Sequence, residues 1–163
     1  MGNTILDSGS RTEFESGAIR DIQEGKGRCD LMPLDVVAAL LNSEEINCIS
    51  KFKNSGDISY LYDALRYNST GDYGVLVYMM LDVAKHFEEG AKKYGENNWQ
   101  KGIPLHSYMD SAIRHYLKHQ VKIKDEPHDR AFVWNILCAI WTVKNKPELD
   151  DFTVRKDENN AGN

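Results

Sequence analysis

The run of eleven residues from 131 to 141 contains a single polar side chain, that of Asn135. Pro127 precedes the run, and because proline suits the first turn of a helix, the sequence predicts a helix from about Pro127 to Lys144. This helix would be apolar on nearly all sides, which is typical of a central, buried helix. The run is too short to span a membrane. The rest of the chain must therefore supply elements that cover it.

Three further segments carry one apolar stripe at helical spacing, which suits that covering role. They lie at residues 34–49, 75–94 and 106–120, and a shorter amphipathic segment lies at 58–67. Gly95 directly follows the second of them, where glycine commonly ends a helix. No internal repeat and no convincing strand pattern occurs. The sequence therefore predicts an all-α fold, a helical bundle with an irregular glycine-rich N-terminal segment.

Composition divides the chain into three parts. Residues 1–15 are polar and are expected to be disordered or loosely ordered. Residues 16–149 are expected to form a single domain, because a chain of 163 residues is long enough for one sizeable core. Residues 150–163 are an acidic, polar tail that is expected to fray.

Net charge and cysteine content indicate which classes of binding partner and which cellular location to expect. A net charge of −5 argues against a nucleic-acid polymer as partner, but a local basic cluster suffices for a small phosphorylated ligand. The three cysteines are far apart and include no CxxC pair, which predicts reduced thiols and a cytoplasmic location. No segment approaches the length of a membrane span, so no membrane partner is expected.

Four groups with metal-ligating chemistry lie within five residues at the start of the last helix. They are Asp125, Glu126, His128 and Asp129. Carboxylate oxygens combined with an imidazole nitrogen suit magnesium, manganese or a transition metal. The alternative is that the acidic residues cap the helix and favour its dipole. Capping alone does not require His128, which favours the metal site.

Two other helices carry acidic residues that can join such a site. Glu89 would coordinate the metal while Lys93 faces a phosphate. Asp110 is a further candidate ligand, although it can instead pair with Arg114 four residues later. Ion pairs at this spacing along a helix are common and contribute a few tenths of a kcal/mol, so they are the structural alternative throughout.

Basic and aromatic residues supply candidates for holding a nucleotide. Arg20, Lys26 and Arg28 lie among glycines, in a stretch that resembles a phosphate cradle without matching the P-loop pattern. Asn135 either reads a ligand or bonds a neighbouring backbone group, because a buried amide needs partners. Trp99 either stacks on a base or covers the edge of the core.

Many of these residues stand in short motifs: Arg20-Asp21, Gly25-Lys26-Gly27-Arg28-x-Asp30-Leu31-x-Pro33, Glu89-Gly90-Ala91-x-Lys93-Tyr94-Gly95, Asn98-Trp99, Ser111-x-x-Arg114-His115 and Trp134-Asn135. Together they resemble the phage and prophage family of dATP/dGTP diphosphohydrolases, in the N-terminal domain. The resemblance extends from Ser16 to about Leu149. Residues 36–81 look like an insertion relative to shorter members of that family.

The resemblance implies cleavage of a purine deoxynucleoside triphosphate to the monophosphate and pyrophosphate, with Mg²⁺ or Mn²⁺ as cofactor. The family is similar in purpose to all-α MazG-type pyrophosphatases, which hold magnesium with ExxE and ExxD motifs. Glu126-x-x-Asp129 fits ExxD, but no EExxE occurs here. The predicted catalytic residues are Glu89, Glu126 and Asp129. The predicted metal ligands are these three together with Asp110, Asp125 and His128. The predicted substrate-binding residues are Arg20, Lys26, Arg28, Asp30, Lys93, Trp99, Arg114, His115 and Asn135.

Two other functions remain open from the sequence. The chain could be a non-catalytic sponge that sequesters a nucleotide or a nucleotide signal, because its acidic shell is incomplete and its basic and aromatic residues are many. It could also be an HD-type phosphohydrolase, with His86, the pair His128-Asp129, and Asp150 or Asp151 as ligands.

The apolar central helix also bears on assembly. Because one small bundle offers little to cover it, we expect a homodimer or homotetramer with helices shared across the interface. A loop such as residues 97–102 of one subunit would then close the pocket of another and place Trp99 over a purine. The alternative is that residues 36–81 pack over the central helix and leave a monomer.

Overall fold

The computed structural model describes residues 5–154, and helices dominate that part of the chain. The six α-helices of these residues are α1 (Leu34–Leu41), α2 (Glu44–Ser55), α3 (Ser59–Asn68), α4 (Tyr73–Tyr94), α5 (Leu105–Gln120) and α6 (His128–Asn145). Two short strands, β1 (Arg11–Glu13) and β2 (Ile19–Asp21), form an antiparallel ribbon. The predicted all-α class is confirmed, with this ribbon as its one addition.

The core lies along α5 and α6, which pack against each other over much of their length. Tyr108, Met109 and Ile113 of α5 are fully buried, as is Ile136 of α6, while Phe132 is nearly so. Helices α3 and α4 pack on α6 from other directions. The apolar run therefore forms a central helix, as its sequence predicts. No helix in residues 5–154 is long and apolar enough to cross a membrane.

The single helix predicted at 34–49 is in fact two. Asn42 adopts a left-handed conformation (φ 51°, ψ 47°) that ends α1. Ser43 then caps α2, since its hydroxyl accepts a hydrogen bond from the backbone N–H of Ile46. Residues 42–45 at this break are all polar, and periodicity alone, which allows polar residues on the outer face of a helix, predicted one helix.

The described residues near both ends of the chain have defined structure. Within residues 5–15, β1 pairs with β2 through a turn at Gly17, whose φ of +82° favours glycine. Near the C-terminus, Phe152 is buried and stacks on Phe52 at a ring separation of 6.2 Å. Residues 150–154 are thus fixed, because an aromatic side chain anchors them. Predictions for residues 1–4 and 155–163 lie outside the described residues.

The first half of α4 has little packing. Tyr73 is 80% exposed, Tyr78 is 76% exposed and Leu81 is 63% exposed. The buried residues of the helix, Val83 and His86, lie in its second half. An exposed apolar surface of this kind marks an interaction site in many soluble proteins.

Candidate functional site

A cavity of about 610 Å³ opens between β2, the loop at residues 95–99 and the helices α4, α5 and α6. Its volume lies within the range typical of small-molecule sites, about 300–1,000 Å³. The three longest helices of the fold all contribute to its wall. The sequence-predicted residues that line it are Arg20, Lys26, Trp99, Arg114, His115, Glu126 and Asn135.

One face of α5 gives the cavity much of its polarity. Ser111, Arg114, His115 and Lys118 all line it, and they follow the spacing i, i+3, i+4, i+7 of a single helical stripe. Arg114 is also bound by Asp110, with Nη2 to Oδ2 at 2.5 Å. The stripe places two cationic side chains and an imidazole along one wall.

The guanidinium of Arg20 lies inside the protein, and no carboxylate of residues 5–154 forms an ion pair with it. Its Nη2 donates to Ser111 Oγ and to Asn135 Oδ1, both at 3.1 Å. Its Nη1 is buried and has no partner in the described part of the chain. Burial lowers the pKa of this guanidinium from its ordinary value. A buried charge of this kind is costly unless a counter-ion meets it, so the site suits an anionic ligand.

A group of metal-ligating atoms lies at the end of the cavity next to the start of α6. The Nδ1 atoms of His115 and His128 are 2.9 Å apart. Glu126 Oε1 lies 3.7 Å from the first and 3.9 Å from the second. Burial, and next the neighbouring His128, hold the pKa of His115 well below its usual range, so its ring is neutral at pH 7. Neutral imidazoles and a carboxylate can bind a divalent cation.

Asp125 supports this group from behind. Its Oδ1 lies 2.5 Å from Nε2 of His128, on the side of the ring opposite Nδ1. A carboxylate in this position holds the proton on Nε2 and leaves the Nδ1 lone pair available. Asp125 is thus placed to orient the ring of His128, and its predicted role as a metal ligand stays a prediction.

The N-terminal strap, defined as residues 5–7, crosses the same end of the cavity. The backbone N–H of Ile5 donates to Glu89 Oε2 at 3.0 Å, and that of Leu6 donates to Glu126 Oε2 at 3.3 Å. Lys93 donates to the carbonyl of Leu6 at 2.5 Å. Glu89 and Glu126, both predicted as metal ligands, thus accept hydrogen bonds from two consecutive residues of the strap. Lys93 holds the strap and does not line the cavity.

Two other predicted metal ligands lie elsewhere. Asp129 is exposed and does not line the cavity, because Pro127 separates it from Glu126 and the helix begins only at His128. The ExxD spacing therefore does not place both carboxylates on one helical face. Asp110 is fully buried but is bound by Arg114 and by the backbone N–H of Cys29 at 2.6 Å. It fixes the wall of the site.

Arg28 and Asp30 form a local pair away from the cavity. The guanidinium of Arg28 donates to both carboxylate oxygens of Asp30 at 2.8 Å. Lys53 donates to the carbonyl of Asp30 and ties the segment to α2. Of the predicted phosphate cradle, Arg20 and Lys26 line the cavity, whereas Arg28 borders a separate shallow groove.

Aromatic side chains form the other end of the cavity. Trp99 packs edge-on against Phe87 at 5.6 Å and against Trp141 at 5.0 Å, measured between ring centroids. Trp134 joins them through Phe87 at 5.9 Å. Trp99 thus belongs to the wall of the cavity in its own chain. An apolar, aromatic surface of this kind can hold a flat ring.

The residues of an HD-type site are not brought together. Asp151 is paired with His106 at 2.5 Å. His106 precedes His115 by nine residues on α5, which corresponds to about 13 Å along the helix. Asp150 accepts from Thr153. His86 does line the cavity, where burial first, and then Arg130, lower its pKa to about 3.

Three polar residues of the cavity lie in positions that the sequence did not predict for them. One was predicted for another role, and two were not predicted as site residues. His115 was predicted to bind substrate, yet its Nδ1 belongs to the metal-ligating group. Lys118 was not singled out, although the α5 stripe extended by one turn would have included it. Gln23 lines the cavity from an irregular segment, where no periodic signal exists.

Comparison with known proteins identifies the family of the chain. A family model described as dATP/dGTP diphosphohydrolase, N-terminal, matches residues 69–152, just over half of the chain. This range contains α4, α5, α6 and the loop at 95–99, and so most of the cavity wall. It begins inside the segment 36–81 that we expected to be an insertion, and that expectation stays a prediction. No curated protein and no solved structure matches the chain significantly.

Proposed function

Because the chain belongs to the family of dATP/dGTP diphosphohydrolases, N-terminal domain, we propose that it hydrolyses purine deoxynucleoside triphosphates. The products would be the monophosphate and pyrophosphate, and the reaction would depend on a divalent cation. One observation supports this most strongly. Among residues 5–154, one cavity is lined by two members of the metal-ligating group (His115 and Glu126), by an arginine without a counter-ion and by an aromatic wall.

The order of these parts along α6 suits a nucleotide. His128 lies at the N-terminal end of the helix and Asn135 lies seven residues later, about 10 Å along the axis. Asn135 accepts from Arg20, whose guanidinium lies over the rings of Tyr108 at 5.3 Å and Trp134 at 6.0 Å. We propose that the phosphates lie at the end near Glu126 and the purine near Trp99.

The cations of the cavity would bind the phosphates. Arg20 would contribute Nη1. Lys26 and Lys118 also line the cavity, and their ammonium groups are paired with Asp21 at 3.1 Å and Asp125 at 3.4 Å. Arg114 is already bound by Asp110, so it would contribute a positioned guanidinium rather than a free one. Several positive groups are needed, since a triphosphate carries multiple charges that one cation does not neutralise.

The metal-ligating group fits a divalent cation by its chemistry and by its closeness. Glu126, His115 and His128 would hold the ion, which when bound neutralises charge on the phosphate oxygens. Glu89 is the carboxylate next to this group, and its Oε1 is bound by Arg130 at 2.6 Å. We propose that Glu89 takes the proton of the attacking water, once the strap has left its other oxygen.

Product analysis tests the proposal. The full chain is incubated with each deoxynucleoside triphosphate and Mg²⁺ or Mn²⁺, and the products are resolved by anion-exchange chromatography. We expect monophosphate and pyrophosphate from the purine nucleotides, and we expect Glu126→Gln to lose turnover. Glu148→Gln, an exposed site far along the chain, is the matched control and should keep full activity. Release of nucleoside and triphosphate would contradict the proposed bond cleavage.

A second candidate function is a nucleotide sponge, and one observation favours it. In the described part of the chain, the metal-ligating group includes one carboxylate, Glu126, while Glu89 is engaged by Arg130 and by the strap. A sponge would bind nucleotide at the same cations without cleaving it. Intact nucleotide that is recovered only after denaturing the protein would support this function over hydrolysis.

A further inference from the structure

We propose that the site at the start of α6 is a transition-metal centre, with His115 Nδ1, His128 Nδ1 and Glu126 Oε1 as ligands and Asp125 as the residue that orients His128. The inference rests on the proposed function, because it identifies the cation of the same cavity. It goes further in assigning the ion to the class from Mn²⁺ to Zn²⁺, in preference to Mg²⁺. It also assigns a ligand role to His115.

The three distances between the ligand atoms define the site. From separations of 2.9, 3.7 and 3.9 Å, the point equidistant from all three atoms lies about 2.1 Å from each. Bonds from protein ligands to transition metals are about 2.0–2.2 Å for imidazole nitrogen and carboxylate oxygen. The three atoms are therefore already spaced for one ion, without a change of backbone.

The ligand chemistry selects the class of ion. Two of the three donor atoms are imidazole nitrogens, which suit first-row transition metals. Mg²⁺ prefers oxygen donors and gives up its water reluctantly, so a site with two nitrogens disfavours it. Affinity in this series rises from Mn²⁺ towards the later metals.

The proton positions also favour a ligand role. Asp125 holds the proton of His128 on Nε2, so the two facing Nδ1 atoms share one proton when no ion is present. Both rings are well shielded, since the side chain of His128 is 1% exposed and that of His115 is 17% exposed. When His115 carries its proton on Nε2 instead of Nδ1, both Nδ1 lone pairs are available to one ion.

The metal alone provides the test, with Co²⁺ as a probe because its visible absorption reports its ligands. The full chain is titrated with Co²⁺ and followed by absorption and by calorimetry. We expect one ion per chain, and a large excess of Mg²⁺ should not displace it. Tight binding of Mg²⁺ in place of Co²⁺ would overturn the assignment to the transition-metal class.

Variants separate these ligands from adventitious binding. His115→Asn and Glu126→Gln should each lower Co²⁺ affinity by about tenfold or more and change the absorption bands. Asp125→Ala should lower affinity by about 10–100-fold, as loss of an orienting partner typically does. His119→Asn removes an exposed imidazole one turn beyond His115 on α5 and should leave affinity unchanged. His128 is buried, so its variant is not needed for the test.

The outcomes distinguish this inference from the proposed function. Unchanged Co²⁺ affinity in both His115→Asn and Glu126→Gln would overturn the metal centre. Turnover of nucleotide with Mg²⁺ in such a case would leave the proposed function standing. Conversely, a Co²⁺ site with the predicted ligands, in a protein that cleaves no nucleotide, would support the centre and contradict the proposed function.

Discussion

Arg20 offers the sharpest test of ligand binding, because its buried charge should lower the stability of the free protein and raise the affinity for an anionic ligand. Replacing it with methionine keeps much of the apolar stem and removes the charge. The variant loses two hydrogen bonds, to Ser111 and Asn135, but it also removes a buried cation that no carboxylate neutralises. We expect the free energy of unfolding to change by no more than about 2 kcal/mol.

The effect on binding follows from Nη1, which has no hydrogen-bond partner among residues 5–154. Nη2 is already bonded twice and Nη1 is buried, so a phosphate would meet Nη1 once neighbouring side chains have moved aside. A hydrogen bond to a charged group contributes about 1.5–3 kcal/mol, which corresponds to about 10–150-fold in affinity. Arg20→Lys should retain part of that affinity, because it keeps the charge but not the planar fork.

Calorimetry with a deoxynucleoside triphosphate, alongside urea unfolding, measures both effects. Arg66→Met is the matched control, since Arg66 lies on α3 and its side chain is 62% exposed. We expect the control to bind as the wild type does. If the affinity of Arg20→Met for nucleotide were within about threefold of that of the wild type, then the buried guanidinium would not be the phosphate receptor. This conclusion would hold whatever the change in the free energy of unfolding.

Three further predictions follow from the described residues. Burial lowers the pKa of His86 to about 3, so on acidification the unfolded chain takes up a proton before the folded chain does, and the free energy of unfolding falls as the pH drops below about 6.5. His86→Asn should remove about 2 kcal/mol of the fall measured by urea unfolding between pH 7.5 and pH 5. An unchanged pH profile in the variant would contradict the buried neutral ring. The exposed apolar half of α4 predicts a homodimer in light scattering that Tyr78→Glu with Leu81→Glu converts to a monomer; a wild-type monomer at micromolar concentration would refute this. A chain that begins at Ser8 lacks the strap, so Glu126 is uncovered and Co²⁺ should bind more tightly and faster; slower or weaker binding would mean that the strap completes the site.

The arrangement of α4, α5 and α6 was predictable because each helix carries an uninterrupted pattern. The apolar run at 131–141 alone indicates a buried helix, and the stripe on α5 indicates which polar residues share a wall. The break between α1 and α2 was not predictable from periodicity, because it depends on the left-handed Asn42 and the capping Ser43, which residue type indicates and apolar spacing does not. The strands β1 and β2 are three residues long, which is too short for an alternating pattern to stand out.

The candidate site was predictable where a motif coincided with a helical face. Arg114, His115 and Asn135 lie where their helices require. Two of the predicted residues lie away from the cavity for local reasons that a sequence pattern does not record, and their roles stay predictions. Asp129 points to solvent because the helix begins after Glu126, and Arg28 binds its near neighbour Asp30 instead of turning to the cavity.

A crystal structure with a non-hydrolysable purine deoxynucleoside triphosphate analogue and Mn²⁺ tests the central claim most directly. We predict one nucleotide in the cavity, with a phosphate oxygen on Arg20 Nη1 and the purine against the wall that contains Trp99. The ion should lie between Glu126, His115 and the phosphates. A nucleotide bound instead at the shallow groove beside Arg28, with the cavity left free, would contradict the account.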